Sequence, residues 1–253
     1  PPVEEHLFQL LLLADACRRA GAARLTAIVP YLGYGRQDRR ASGREPVGAR
    51  LVADLLAAAG LDRIVAVDLH SGTLEGIFTT PLEHLTAVPI LCEALRPRLP
   101  ADAVIVAPDL GATKLAERYA RLLGLPAALV HKRRLSGERV AVRGVTGEVR
   151  DRTPLVVDDM ITTGGTVEAA VGAVLEAGAR PEVTVCATHG LFVGPAMERL
   201  ARLPVSRLLT TDSVAAPAGG GPTLERVTLA PLLADAITRL HGDRSLAELI
   251  VHT

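Results

Sequence analysis

The chain has 253 residues, 49% of them apolar but only 2% aromatic, so a core has to be built from Leu, Val, Ala and Ile. Its 28 basic and 28 acidic residues give a net charge of zero, which argues against a nucleic-acid partner because such binding usually relies on a basic face. No apolar run is long and uninterrupted enough to cross a bilayer, and the chain start lacks the layout of a signal peptide, so we expect a cytoplasmic protein without a membrane partner.

The predicted elements begin with a helix. The stretch "VEEHLFQLLLLADACRRAGA", residues 3–22, has apolar residues at helical spacing over its whole length. Such a helix needs a surface to pack on, and the chain begins at Pro1 without a methionine. We therefore expect that a segment before Pro1 is missing from this chain.

Seven short apolar runs follow, rich in Val, Ile and Leu and without alternating polar residues. Continuous apolar strands are buried on both faces, which is typical of parallel sheets. In chain order the runs are "RLTAIVPYL", "RIVAVDLH", "AVIVAPD", "AALVHKRR", "PLVVDDM", "VTVCATHG" and "RLLTTDS".

Helix-like stretches separate these runs. Three of them close on a glycine, Gly60, Gly124 or Gly178, at the position where helices commonly end. The alternation of strand and helix predicts an α/β fold, with mostly parallel sheets flanked by helices. The plan repeats, so we expect two similar βαβ domains: residues 1–85, N-terminally incomplete, and residues 86–230. Residues 231–253 are expected to form a helical segment that packs back on the first domain.

Three cysteines, Cys17, Cys92 and Cys186, are far apart in the sequence. Their spacing matches neither a disulfide framework nor a zinc site. We expect all three to be buried, reduced thiols.

Polar and charged residues collect where the predicted strands end. The strand ends carry "GRQDRR", "DLH", "PD", "HKRR", "DDMITTGGT" and "THG". In parallel sheets ligands bind at the carboxyl ends of the strands. One polar strand end is unremarkable because loops are usually polar, but six in register predict a binding site.

The segment "VVDDMITTGGT" is the most informative of these ends. An apolar strand delivers Asp158 and Asp159 to its end, and "TTGGT" then leads into a helix. Backbone N–H groups at a helix N-terminus bind anions, and glycines let the backbone approach a phosphate. Carboxylates cannot bind phosphate but accept hydrogen bonds from hydroxyls. The segment therefore predicts a sugar-phosphate site.

This segment resembles the phosphoribosyl-binding loop of the type I phosphoribosyltransferase fold. Six motifs in this order, "PYLGYGRQDRR", "VDLHSGTLEGIF", "VAPDLGATKLAERYA", "LVHKRR", the loop and "ATHGLFVGPAMERL", resemble the ribose-phosphate pyrophosphokinase family over nearly the whole chain. The resemblance implies two phosphoribosyltransferase-like domains. It also implies Mg²⁺-dependent transfer of the pyrophosphoryl group of ATP to ribose 5-phosphate, in a homo-oligomer of dimers that build hexamers.

The resemblance also implies roles for individual residues. It assigns Lys132 and Arg134 to the stabilisation of the transition state from a mobile loop. The ATP-binding residues it implies are Arg36, Gln37 and His70, and the metal-associated residues are His70 and Asp109. The ribose 5-phosphate site it implies consists of Arg134, Asp158, Asp159, Thr162, Thr163, Gly164, Gly165 and Thr166.

Two departures from the family pattern leave alternatives open. The family usually has Asp where this chain has Thr162, which removes a negative charge from the sugar-phosphate loop. The family also carries an N-terminal segment, which we expect to be absent here. A catalytically silent, synthetase-like regulatory subunit is therefore one alternative. A nucleobase phosphoribosyltransferase is the other, although it has no need for "RQDRR", "DLH" and "HKRR" together.

Overall fold

A computed structural model of the protein describes residues 2–40, 42–136, 139–215 and 223–250; the side chains of residues 132–143 lie outside this description. The chain divides into two compact units. Unit 1 comprises Pro1–Thr86 and Ala230–Thr253, and unit 2 comprises Ala87–Leu229.

Unit 1 contains, in its described part, a three-stranded parallel sheet in the order β1-β2-β3. After its first residue, Arg63, the central strand is wholly apolar and fully buried. The backbone near the chain end returns to this sheet, where the N–H of Thr86 donates to the carbonyl of Leu249 at 3.0 Å. The elements are α1 (Val3–Arg19), β1 (Thr26–Val29), α2 (Gly48–Ala58), β2 (Arg63–Val67), α3 (Thr73–Ile77), β3 (Leu82–Leu85) and, from the C-terminal part, α8 (Ala230–His241).

Unit 2 contains, within the described residues, a seven-stranded sheet in the order β10-β9-β8-β7-β4-β5-β6. All neighbouring strands are parallel except β6, which runs antiparallel to β5. Its elements are α4 (Val88–Leu95), β4 (Ala103–Ala107), α5 (Thr113–Leu123), β5 (Ala127–Ser136), β6 (Arg139–Thr146), β7 (Thr153–Ile161), α6 (Gly165–Glu176), β8 (Val183–Gly190), α7 (Ala196–Ala201), β9 (Val205–Thr211) and β10 (Leu224–Val227).

The structure confirms the predicted α/β fold with mostly parallel sheets, and all seven apolar runs form strands. Three further strands, β3, β6 and β10, were not predicted. In β6, "RVAVRGVT", the polar residues Arg139, Arg143 and Thr146 and a glycine leave an apolar run of only three residues, which a search for continuous apolar runs does not find. Lys132 and Arg134, which the resemblance places on a mobile loop, thus belong to a strand that pairs antiparallel with β6.

The cysteine prediction was wrong for one residue. Cys17 is exposed on α1, whereas Cys92 and Cys186 are buried, and all three are free thiols. Burial raises the pKa of Cys92 to about 12, so this thiol stays protonated and unreactive. In the part of the chain that the structure describes, no helix combines the length and the apolarity needed to span a membrane.

Candidate active site

The sugar-phosphate loop lies at the carboxyl end of β7, in the middle of the unit 2 sheet. The strand is fully buried up to Val157, and Asp158 and Asp159 are partly buried. Gly164 then adopts a left-handed backbone (φ 75°), which favours glycine, and α6 begins at Gly165. The first N–H groups of a helix have no intrahelical partners and attract anions. A helix N-terminus thus lies at the predicted phosphate cradle, and phosphate binding there stays a prediction.

Carboxyl groups are crowded together at the end of β7, just before this loop. The N–H of Asp159 donates to Oδ1 of Asp158 at 3.0 Å, and the N–H of Met160 donates to Oδ1 of Asp159 at 2.8 Å. The pKa of Asp158 is well above its ordinary value, mainly because the carboxyl is desolvated and then because of the neighbouring charges of Asp159 and Asp109. Such crowding favours a ligand that donates hydroxyl protons or carries a cation.

Asp109 follows β4, the strand next to β7 in the sheet. Its Oδ1 accepts a hydrogen bond from the N–H of Gly111 at 3.0 Å and so caps the short 3₁₀ turn Leu110–Ala112 that leads into α5. The structure thus gives Asp109 a local structural task and also places its charge near Asp158. Among the described residues, no group of three His, Cys, Asp or Glu side chains is arranged to hold a metal ion.

The segment after β8 and the helix α7 that follows it hold the phosphate loop in place through hydrogen bonds to its carbonyl groups. The N–H of Val193 donates to the carbonyl of Thr162 at 2.9 Å, and Nη1 of Arg199 donates to the carbonyl of Thr163 at 2.9 Å. A Cβ on Gly164 would lie 3.5 Å from the carbonyl oxygen of Ala196. Sequence reasoning assigned no role to Val193 or Arg199, because nothing in "GLFVGPAMER" distinguishes bracing residues from surface residues.

The predicted ATP-binding pair Arg36 and Gln37 lies in unit 1, on an exposed turn between β1 and α2. The N–H of Gln37 donates to the carbonyl of Tyr34 at 2.9 Å, and the Tyr34 hydroxyl donates to Glu4 of α1 at 2.6 Å. A Cβ at Gly48 would overlap the side-chain amide oxygen of Gln37. The absence of a side chain at Gly48 therefore allows the Gln37 amide to occupy its position.

The turn "DLH" follows β2 and carries the predicted residue His70, which is exposed. Asp68 before it is buried (6% exposed) and has a positive φ of 38°. The N–H of Leu69 donates to Nε2 of His84 at 2.8 Å, and Nδ1 of His84 lies 3.0 Å from Oε1 of Glu75. With Nε2 accepting, Nδ1 carries the proton and donates to Glu75. His84 was not predicted, because it lies in β3, a strand that has no continuous apolar run.

A side-chain hydrogen bond joins the segment that carries His70 to the turn that carries Arg36 and Gln37. The hydroxyl of Thr73 donates to Oδ2 of Asp38 at 2.9 Å. This hydrogen bond links the segments that carry the predicted ATP-binding residues Arg36, Gln37 and His70, whose roles stay predictions. The carboxylate of Asp38 therefore has a side-chain hydrogen-bond partner, Thr73.

The predicted catalytic residues Lys132 and Arg134 belong to β5. Their backbones pair with Val142 and Val140 of β6. The side chains of both residues lie outside what the structure describes, so their catalytic roles stay predictions.

Two family models match the chain. The N-terminal domain of ribose phosphate pyrophosphokinase matches residues 1–60, and the phosphoribosyl transferase domain matches residues 100–206. The expectation that the family's N-terminal part is lacking was therefore wrong, because residues 1–60 themselves carry the match to that domain. The amphipathic pattern of α1 had indicated a missing partner, but Leu7, Leu10 and Leu11 pack against the core of unit 1.

Relatives match along nearly the whole chain. It is 40% identical to a ribose-phosphate pyrophosphokinase of Clostridium perfringens and 44% identical to one of Corynebacterium efficiens, covering 98% of this chain in each case and 79% and 77% of the relatives. A crystal structure of phosphoribosylpyrophosphate synthetase from Mycobacterium smegmatis superimposes with a TM-score of 0.87 at 38% identity, over 96% of this chain and 80% of that one. The chain therefore belongs to the ribose-phosphate pyrophosphokinase family.

Proposed function

We propose that this protein transfers the pyrophosphoryl group of ATP to the anomeric hydroxyl of ribose 5-phosphate, giving 5-phosphoribosyl 1-pyrophosphate and AMP for nucleotide biosynthesis. The observation that carries the proposal is the end of β7, where a pair of carboxyls stands in front of a glycine-containing helix N-terminus. Hydroxyl-binding and phosphate-binding groups are adjacent there, as a sugar phosphate requires. The 40% sequence identity to a ribose-phosphate pyrophosphokinase, over 98% of the chain, supports this reaction.

The residues of the β7 loop would hold the sugar. The phosphate would accept hydrogen bonds from the N–H groups of Gly164 and Gly165 and from the hydroxyls of Thr162, Thr163 and Thr166. Asp158 and Asp159 would accept hydrogen bonds from the ribose hydroxyls, which relieves the charge crowding that raises the Asp158 pKa. The anomeric hydroxyl would thereby be fixed in position for attack.

The transfer itself is a displacement at the β-phosphorus of ATP. A bond forms between the anomeric oxygen and this phosphorus, and the bond from the phosphorus to the oxygen that it shares with the α-phosphorus breaks. AMP leaves with that oxygen, and the hydroxyl proton leaves to solvent. Arg36, Gln37 and His70 would hold ATP. Lys132 and Arg134 would neutralise charge on the bridging oxygen and the transferred phosphates, which is the main catalytic requirement of such a step.

Mg²⁺ is the cofactor that we propose. It prefers oxygen ligands, keeps several waters, and usually needs only one or two protein carboxylates besides the substrate phosphates. The carboxyls at the ends of β4 and β7 suit it, and Asp109 is the proposed ligand. The imidazole of His70 suits contact with metal-bound water or phosphate oxygens better than direct ligation. When bound, Mg²⁺ would shield the triphosphate charge.

An AMP-release assay with ribose 5-phosphate, ATP and Mg²⁺ tests this function, with Lys132→Ala as the comparison. We expect AMP formation that depends on ribose 5-phosphate and falls about a hundredfold or more in the variant, while nucleotide affinity changes little. Calorimetric titration of both substrates accompanies the assay. An unchanged turnover number in Lys132→Ala would remove this residue from the mechanism.

The same assay distinguishes the two alternatives. A chain that binds ribose 5-phosphate but releases no AMP would be a silent, synthetase-like subunit, which the Thr162 departure favours. A chain that consumes 5-phosphoribosyl 1-pyrophosphate when a nucleobase is supplied would be a phosphoribosyltransferase.

Self-association is part of the proposal. The large apolar side chains Phe8, Leu12 and Leu13 of α1 are 62%, 57% and 63% exposed, and Leu51 of α2 is 61% exposed. Phe8 and Leu12 are one helical turn apart, so their side chains share a face of α1, and exposed apolar patches are typical of interfaces, which supports a homo-oligomer. Sedimentation velocity measures it, and a monomer at working concentrations would contradict it. The cytoplasmic location stays a prediction.

A further inference from the structure

The backbone carbonyl groups of the phosphate loop also have hydrogen-bond partners. If the N–H groups of the loop face an anion, carbonyl groups of the same turn point away from that anion, and the donors that they meet fix the orientation of the turn. The carbonyl of Thr162 receives a backbone donor, the N–H of Val193. The carbonyl of Thr163 receives a side-chain donor, Nη1 of Arg199, at 2.9 Å. The contact at the Thr163 carbonyl therefore depends on one side chain, that of Arg199, and mutation can remove it.

The Arg199 guanidinium also contacts the helix that follows the loop. Its Nε lies 3.0 Å from Oε2 of Glu168, which is in the first turn of α6. One planar group thus donates to the loop carbonyl and to a helix carboxylate, a geometry that a lysine ammonium cannot reproduce in full. A Cβ on Gly165 would lie only 3.1 Å from Nη1, so the guanidinium is packed closely against the start of the helix.

The contact between Arg199 and Glu168 also has an electrostatic role. A carboxylate in the first turn of a helix is compatible with the helix dipole, but here it stands close to the position proposed for a phosphate dianion. Arg199 balances this charge. The two side chains are 31% and 49% exposed, and ion pairs at such exposure contribute little to stability. The contact is therefore better suited to fix the loop and its charge than to hold the fold together.

We propose that Arg199 is a positioning residue for the phosphate of ribose 5-phosphate. It holds the Thr163 carbonyl away from the ligand and neutralises Glu168, so that the loop amides and hydroxyls meet the phosphate without an opposing charge. This inference rests on the proposed function, because it takes ribose 5-phosphate as the ligand of the loop.

The test is calorimetric titration of ribose 5-phosphate into the full chain, which does not require turnover. We expect Arg199→Gln to weaken binding about tenfold or more, since a hydrogen bond from a charged donor and a neutralising charge are both lost. ATP affinity and the unfolding midpoint should stay close to the wild type. Arg199→Lys keeps the charge but not both contacts, so it should show an intermediate loss.

Two further variants separate position from charge. Arg202→Gln removes an exposed arginine just after α7 and should bind like the wild type. Adding Glu168→Gln to Arg199→Gln removes the unbalanced carboxylate and should restore part of the lost affinity. Equal affinities for Arg199→Gln and Arg202→Gln would overturn the inference, and so would an Arg199→Gln variant that weakens ATP as much as ribose 5-phosphate.

The outcomes also separate this inference from the proposed function. A wild-type chain that binds ribose 5-phosphate without releasing AMP, and an Arg199→Gln variant that binds it more weakly, would support the positioning role and refute the activity. AMP release with unchanged binding in the variant would do the reverse. A wild-type chain that does not bind ribose 5-phosphate would overturn both.

Discussion

His84 offers a direct test of how the unit 1 turn that carries His70 is held. The buried imidazole accepts the N–H of Leu69 at Nε2 and donates to Glu75 from Nδ1. Replacing it by Leu keeps a similar volume but removes both polar contacts. The neighbouring Asp68 has a positive φ, a backbone conformation that surrounding contacts have to maintain for a non-glycine residue.

The expected size of the effect follows from these contacts. In His84→Leu the N–H of Leu69 loses its acceptor in a partly buried position, which costs about 1–3 kcal/mol. Glu75 is 52% exposed and can hydrogen-bond to water instead, so the loss of its contact with His84 adds little to the cost. Because Leu fills most of the space, the cavity contribution is small. The free energy of unfolding should therefore fall by about 1–3 kcal/mol, and the released turn should raise the KM for ATP.

Urea unfolding and substrate kinetics measure the two effects together. His84→Gln is the matched control, because its side-chain oxygen can replace Nε2 as the acceptor for Leu69, so its KM for ATP should stay near the wild type. His84→Asn reaches only toward Glu75 and should behave like His84→Leu. If His84→Leu loses stability while its KM for ATP stays unchanged, the turn does not depend on His84 and the reasoning is refuted.

Two other predictions concern Gly48, beside the predicted ATP-binding residue Gln37, and Asp158. Gly48→Ala should displace the Gln37 amide and raise the KM for ATP several-fold, and it should also lower stability, because Gly48 is buried at the start of α2 and the new Cβ would lie 2.9 Å from Cδ1 of the Tyr34 ring. Gly172→Ala, where a Cβ meets open space within α6, is the control, and equal KM values for the two variants would contradict the role of Gln37. Asp158→Asn should bind ribose 5-phosphate more weakly yet unfold at a higher urea concentration near neutral pH, as unfolding and titration experiments would show.

The sequence predicted the parts of the fold whose burial is uniform. Strands such as β2 and β7 are continuous apolar runs because helices cover both faces of a parallel sheet, so composition alone reveals them. The strand β3, "LEHL", has four residues and two polar side chains, one of which is the buried His84. Pairing with β2 stabilises it, and pairing is a tertiary property that local spacing does not report.

The same limit applies to the candidate site. The residues expected to touch substrates lie at strand ends and in glycine turns, whose chemistry is local and therefore visible in the sequence. The residues that position them act across long sequence separations: Arg199 contacts Thr163, and Asp38 contacts Thr73. Such partners are set by the packing of elements, so an arginine in "AMERL" looks like any surface arginine until α7 is placed beside the loop.

The sign of the Asp158 prediction follows from its pKa. The folded-state pKa lies well above the ordinary value of 3.8 because the carboxyl is desolvated and adjoins other carboxyls. Between the ordinary and the raised pKa the folded chain holds a proton that the unfolded chain has released, so stability falls as the pH rises through this window and the penalty persists above it.

Asn cannot ionise, so the stability advantage of Asp158→Asn should grow from about pH 4 upward. The neighbouring carboxyls titrate together, and the slope therefore reports the group and not Asp158 alone. Ribose 5-phosphate should oppose the trend in the wild type, since hydroxyl donors favour the charged carboxylate and lower its pKa. An advantage of the variant that shrinks with rising pH would mean that Asp158 is not crowded, and the proposed reason for a hydroxyl-bearing ligand at this strand end would fail with it.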